Sequence, residues 1–159
     1  MEELITSAKR STKASLRHLL HTLSFVPDER MNWSPSPTAK SALQIVAHCA
    51  ISNGAFAEII DGEAMPADSF LEIKAKLNEE EDKLVTKDAA IAALNDSYGI
   101  VVSALERMTP ERAGSYVVTP FLKAPMTFFM TLPGMHMGNH AAQIAYLQTC
   151  WGDLDPHFG

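Results

Sequence analysis

Cysteine is scarce in this 159-residue chain, where Cys49 and Cys150 are the whole complement and lie far apart. That count excludes a disulfide framework, and a reducing compartment keeps both as thiols. Positive charge is scarce too. Lys and Arg total 13 against 19 Asp and Glu, a net charge of -6, with no basic cluster. A nucleic-acid partner is therefore excluded and an anionic membrane surface disfavoured, because both need concentrated Lys and Arg. Met1-Glu2-Glu3-Leu4 lacks the basic lead and apolar run of a signal peptide. No apolar segment reads as long enough to span a bilayer, so the expectation is a cytoplasmic protein with no membrane partner. Repeats and low-complexity tracts are absent. What remains is ordinary for one globular domain with a proper core: 47% hydrophobic and 20% charged residues.

The apolar residues recur at helical spacing in four long segments. The first runs from about Glu2 to Phe25, with Ile5, Thr12, Leu16, Leu19, Leu20 and Leu23 on one face, and ends at Val26-Pro27-Asp28. His18 falls opposite that face and His21 on its flank; despite their metal-like spacing, a solvated face is the better reading. A proline-rich connector, Asn32 to Pro37, leads to a capped start near Thr38 or Ser41. The second helix runs to Ile60 and stops at Asp61-Gly62. Ile45, Ile51, Ala55, Phe56 and Ile59 mark its buried side, with His48 central there and Gln44 and Ser52 one turn away on either side. The third helix spans about Asp88 to Met108, with Ile91, Leu94, Tyr98, Val102 and Leu105 on one face. The segment from Glu111 to Met126 is irregular, with at most a short strand at Tyr116–Thr119. The fourth helix starts near Thr127 and ends at Trp151-Gly152, and Pro133-Gly134 should kink it or delay its regular part to about Met135.

Four such stripes are satisfied by an all-α four-helix bundle. The crossover between helices two and three is well beyond the usual bundle loop, long enough for those helices to run parallel. Phe70, Ile73 and Leu77 within it allow a short amphipathic helix. The acidic run Asn78–Lys83 reads as solvated surface.

The chemistry concentrates in Gly134-Met135-His136-Met137-Gly138-Asn139-His140-Ala141-Ala142-Gln143. His136 and His140, four apart, project from one helix face within reach of a single ion. His48, central on the buried side of another helix, is the natural third ligand. Three neutral imidazoles leave a coordination position open, which is the catalytic rather than the closed structural pattern. Imidazole suits zinc, nickel, copper or iron; zinc or nickel leads, with iron or manganese behind. The competing reading is a set of core histidines hydrogen-bonded to their neighbours. Met137 stands where His-Glu-x-x-His carries its general base, which disfavours a peptidase.

At these residues the sequence resembles the DinB-like family. Asn32-Trp33-Ser34-Pro35-Ser36-Pro37, followed by Ser41 and Ala47-His48, is similar to the family's Trp-x-Pro lead-in and first ligand helix. His136-x-x-x-His140-x-x-Gln143 is similar to its last-helix signature, and the likeness runs along essentially the whole chain. The resemblance implies a four-helix bundle, a metal site of His48, His136 and His140, and a homodimer. It also implies thiol-dependent transferase or isomerase chemistry with low-molecular-weight thiols such as bacillithiol or mycothiol. Asn139-His140-Ala141-Ala142 departs from the common pattern of Arg and Gly after the second histidine, which leaves the subfamily open.

Two functions follow. One is a metal-dependent enzyme, transferase-like or hydrolase-like, acting on a small molecule; its pocket or supporting groups would come from Trp33, Gln44, Asn95, Tyr98 and Gln143. The alternative is a non-catalytic metal-binding or stress-response module. No catalytic general base is identifiable among the residues.

Overall fold

The computed structural model describes residues 1–63, 69–120 and 122–157. Several of its helices begin at residues whose side chains cap them. Helix α1 (Glu2–Ser24) ends just before Pro27 and is followed by a single 3-10 turn at Asp28–Arg30. Helix α2 (Ala42–Asp61) starts at Ser41, whose hydroxyl accepts the Gln44 N–H while the Gln44 side chain accepts the Ser41 N–H. That reciprocal box satisfies two orphan donors and contributes about 1 kcal/mol. The helix closes at Gly62, whose φ of 84° suits a residue without a Cβ. Helix α3 (Phe70–Glu81) is capped by Ser69 and α4 (Lys87–Glu106) by Thr86. A one-turn helix α5 (Pro110–Ala113) then leads into a small antiparallel hairpin. Its strands are β1 (Tyr116–Val118) and β2 (Lys123–Pro125), with Val117 opposite Ala124. Helix α6 (Met126–Cys150) completes the chain's regular structure.

Contacts between helices fix their directions. Gly134 of α6 lies against Ser11 and Thr12 of α1, Gly138 against Ser15, and Gln148 Nε2 donates to Thr22 O at 3.3 Å. Both sequences advance together, so α1 and α6 are parallel. The same holds for α2 and α4, where Asn53 meets Ser97 and Asp61 pairs with Arg107. Helices α1 and α4 oppose each other, because Lys9 pairs with Glu106 while Asp28 pairs with Lys87. The bundle is therefore up-down-down-up, and the long crossover carrying α3 is what lets α2 and α4 run in one direction.

The core divides into two ends. Leu19, Val46, Leu94, Met137 and Ile144 fill one, with Cys49 among them. Ile60, Val101, Leu105, Met126, Phe129 and Met130 fill the other. Position 48 of α2 and positions 136–140 of α6 lie at the first end, beside Cys49 and Met137, where the two helices pass antiparallel.

Four expectations are corrected. By length and composition α2 is apolar enough to cross a membrane; here that apolarity is spent as the bundle's core helix, with residues such as Ala42, Val46, Ala50 and Ile60 buried. Helix α6 starts at Met126, one residue from the expected Thr127, and runs through Pro133, so its regular part is not delayed to Met135. Burial of Met126, Phe129 and Met130 holds the turns that precede Pro133. In α3 the buried stripe is Ile73, Leu77 and Glu81, while Phe70 is exposed, so the acidic run is not wholly solvated. His21 is half-buried rather than solvated: its Nε2 lies 3.0 Å from His157 O, and its ring meets Phe25 edge-on. Positions 64–68 of the crossover and 121 of the irregular segment lie outside the described residues.

Candidate metal centre

His48, His136 and His140 come together between α2 and α6. Each offers a ring nitrogen, and these atoms lie within 4.8 Å of one another. His136 Nε2 is 3.2 Å from His48 Nε2 and 3.2 Å from His140 Nε2. Three nitrogens bound tetrahedrally at the usual zinc–imidazole distance stand about 3.3 Å apart. The spacing therefore fits a divalent ion with no rearrangement of the helices.

The outer nitrogens determine which way the lone pairs point. His48 Nδ1 lies 2.7 Å from Glu81 Oε1. An ionised carboxylate only accepts, so Nδ1 carries the hydrogen and Nε2 presents its lone pair to the centre. His140 Nδ1 donates in the same way to Gln143 Oε1 at 2.7 Å. His136 differs: its Nδ1 is buried and has no partner among the described residues. Its ring is held by packing, with Phe56 edge-on at 5.2 Å. Two tautomers are thus set by hydrogen bonds, while the third ring is held by packing.

Burial favours the neutral form of two of the three histidines. Burial pushes the His136 pKa down to about 3, and the neighbouring His140 and His48 add to the effect. Burial likewise lowers His140, against the opposing pull of its Gln143 bond. Neutral imidazole is the form that binds a metal. Burial alone would raise the Glu81 carboxyl, but the hydrogen bonds from His48 and Lys40 outweigh it and hold Glu81 below the ordinary value. Its second oxygen takes Lys40 Nζ at 2.5 Å. Burial pushes the Cys49 thiol well up, so the neighbouring cysteine stays protonated.

The other sequence candidates are distributed unevenly. Gln143 touches the cluster through His140. Gln44 is exposed and its amide oxygen is engaged in the α2 cap. Asn95 is exposed and donates to Ile91 O within its own helix. Trp33 meets Trp151 edge-on at 5.5 Å, with Arg30 over both rings. Tyr98 packs on the core at that end of the bundle. His18 is exposed on α1, away from the cluster. A groove of about 1130 Å³ runs along α1 and α6 past His18, His21 and His157, but the three histidines do not line it. The chemistry is at the cluster, where His48 remains about a quarter exposed and an incoming ligand has access. Glu81 and Lys40 are the members that sequence reasoning missed. The signal was the spacing of Ile73, Leu77 and Glu81, which places the carboxylate on the buried stripe of α3.

No curated protein matches the sequence significantly. Among solved structures, the fold is similar to that of YfiT from Bacillus subtilis, with a TM-score of 0.74 at 17% identity, covering 96% of this chain and 90% of that one. YfiT is described as a probable metal-dependent hydrolase with an unusual four-helix bundle topology. At this identity the likeness concerns the fold alone. The family model for the DinB superfamily matches residues 10–144, most of the chain including all three histidines. The chain belongs to the DinB superfamily.

Proposed function

We propose that this protein is a metal-dependent enzyme acting on small molecules, with His48, His136 and His140 as the ligands of one divalent ion. A low-molecular-weight thiol is its nucleophilic co-substrate. The observation that carries this reading is the convergence of three Nε2 atoms, two of them with Nδ1 already committed to acceptors. The ion supplies Lewis acidity, lowering the pKa of a ligand in the position the histidines leave open. The chain's own groups orient and insulate. Glu81 and Gln143 hold two rings, Phe56 packs against the third, and burial keeps His136 and His140 unprotonated.

No free base stands at the cluster among the described residues, which favours a thiol over water. Glu81 has both oxygens engaged, and Met137, in the place a zinc protease gives its glutamate, is fully buried in the core. The nucleophile's proton must then pass to solvent. A thiol, with a reference pKa of about 8.5, needs a far smaller shift than water to ionise at neutral pH. Its sulfur then bonds the electrophilic carbon as the leaving group departs. The description of YfiT favours a second reading, in which water takes the same position and the reaction is hydrolysis.

A cytosolic homodimer is part of the same proposal, since such thiols are kept reduced there; sedimentation showing only monomer at micromolar concentration rejects the dimer. The test of function is a screen of metal-loaded protein against electrophiles and esters, with and without thiols. Thiol-dependent loss of an electrophile, abolished by chelator, supports the transferase reading. Ester cleavage without thiol supports the hydrolase. Bound metal with no turnover of either kind favours a binding module.

A further inference from the structure

Helix α3 is lightly held. Among its residues only Ile73 and Glu81 are buried, with Leu77 half-buried between them. A carboxylate on that stripe is costly, because a buried charge must recover its lost hydration from its partners. Its position adds to the cost, since the end of a helix carries partial negative charge that disfavours an acid. Glu81 stays buried because each oxygen has a partner outside α3: His48 Nδ1 at 2.7 Å and Lys40 Nζ at 2.5 Å. Lys40 itself sits just before the Ser41 cap of α2, so both partners belong to the segment that carries His48.

We propose that Glu81 is a positioning residue for the metal centre, which fixes the His48 ring through Nδ1 and thereby ties the docking of α3 to metal occupancy. The inference rests on the three histidines being metal ligands. A carboxylate behind an imidazole fixes its tautomer and raises its basicity as a ligand. Without Glu81 the His48 ring keeps its place on α2 but loses the group that directs Nε2 inward. Coupling of this kind is reciprocal. If Glu81 strengthens metal binding through His48, a bound metal must strengthen the hold of His48 on Glu81, and so of the bundle on α3. Lys40 fixes the carboxylate's second oxygen and keeps it from swinging away.

The test uses the full-length chain stripped of metal and titrated with Co²⁺ by visible absorption, then with Zn²⁺ by competition. Glu81→Ala should weaken binding about 10–100-fold, the usual loss when such an outer partner is removed. Glu81→Gln should lose less, because the amide oxygen still accepts the Nδ1 hydrogen. Leu105→Ala, buried at the far end of the bundle, should lower the melting temperature and leave metal affinity unchanged. Hydrogen exchange of the α3 amides should slow when Zn²⁺ is added to the wild type and not when it is added to Glu81→Ala. If the wild type takes up one equivalent of metal and both Glu81 variants bind within threefold of it, the positioning role is wrong. If Zn²⁺ leaves α3 exchange unchanged in the wild type, the coupling is wrong. A wild type that binds neither ion overturns the metal reading itself and this inference with it.

Discussion

Replacing His136 with leucine in metal-free protein separates a binding-site histidine from a core histidine. At neutral pH the substitution removes a buried nitrogen that has no partner among the described residues. An unsatisfied buried polar atom costs about 1–3 kcal/mol. A change of shape at similar volume costs less than about 1.5 kcal/mol. The variant should therefore match or exceed wild-type stability at pH 7 while losing metal binding. Acid should widen the gap. The folded pKa of His136 lies at about 3, against about 6.5 in the unfolded chain. Between these values the unfolded state binds more protons, so wild-type stability falls as pH falls, by about 1.4 kcal/mol per unit. At pH 5 the loss from this residue is about 2 kcal/mol, or about 4–8 °C in melting temperature for a chain of this size. Leucine does not titrate, so His136→Leu should lack that component, leaving the part due to His140 in both proteins. Calorimetry of chelator-treated samples at pH 7 and pH 5 reads both effects. Equal pH dependence in the two proteins refutes the reasoning. So does a loss of 3 kcal/mol or more at pH 7, which is what a well-satisfied core histidine would give.

Four further outcomes follow from the structure. Gly138→Ala should stabilise by about 0.5–1 kcal/mol, since alanine is the better helix former and the added carbon meets Ser15 Oγ only at 3.6 Å. Gly134→Ala should fall below it in thermal melts, because its carbon would stand 3.2 Å from the Thr12 backbone N. Leu94→Ala, at a fully buried position of α4, should cost about 2–5 kcal/mol by denaturant titration. His18→Ala should leave metal uptake unchanged, whereas His48→Ala and His140→Ala should each greatly weaken it with most helical content retained by circular dichroism.

The bundle and the histidine cluster were legible because both depend on local spacing. Ser41 and Gly62 mark helix ends by their own chemistry, and His136 and His140 share a face by arithmetic alone. His48 could be added because its neighbours on α2 are apolar. Glu81 was hidden by its company. Its neighbours Glu79, Glu80 and Asp82 are exposed, and only the stripe through Ile73 and Leu77 sets it apart. His21 was misjudged for a different reason: its partner, His157, lies 136 residues away, and no local pattern announces such a contact. Proline's usual effect also misled, because Pro133 sits in a helix whose preceding turns are locked by buried Phe129 and Met130. The direction of α4 relative to α2 was readable only as a possibility allowed by crossover length. The side-chain pairs that decide it, Asn53 with Ser97 and Asp61 with Arg107, are long-range.

The most direct test of the central claim is the metal content and affinity of the purified chain beside its His48→Ala, His136→Ala and His140→Ala variants. Elemental analysis after dialysis should find one divalent ion per wild-type chain and a large loss in each variant. Competition titration should give the same order. Wild-type protein that takes up no divalent ion, or that binds one as tightly after all three substitutions, would contradict the account.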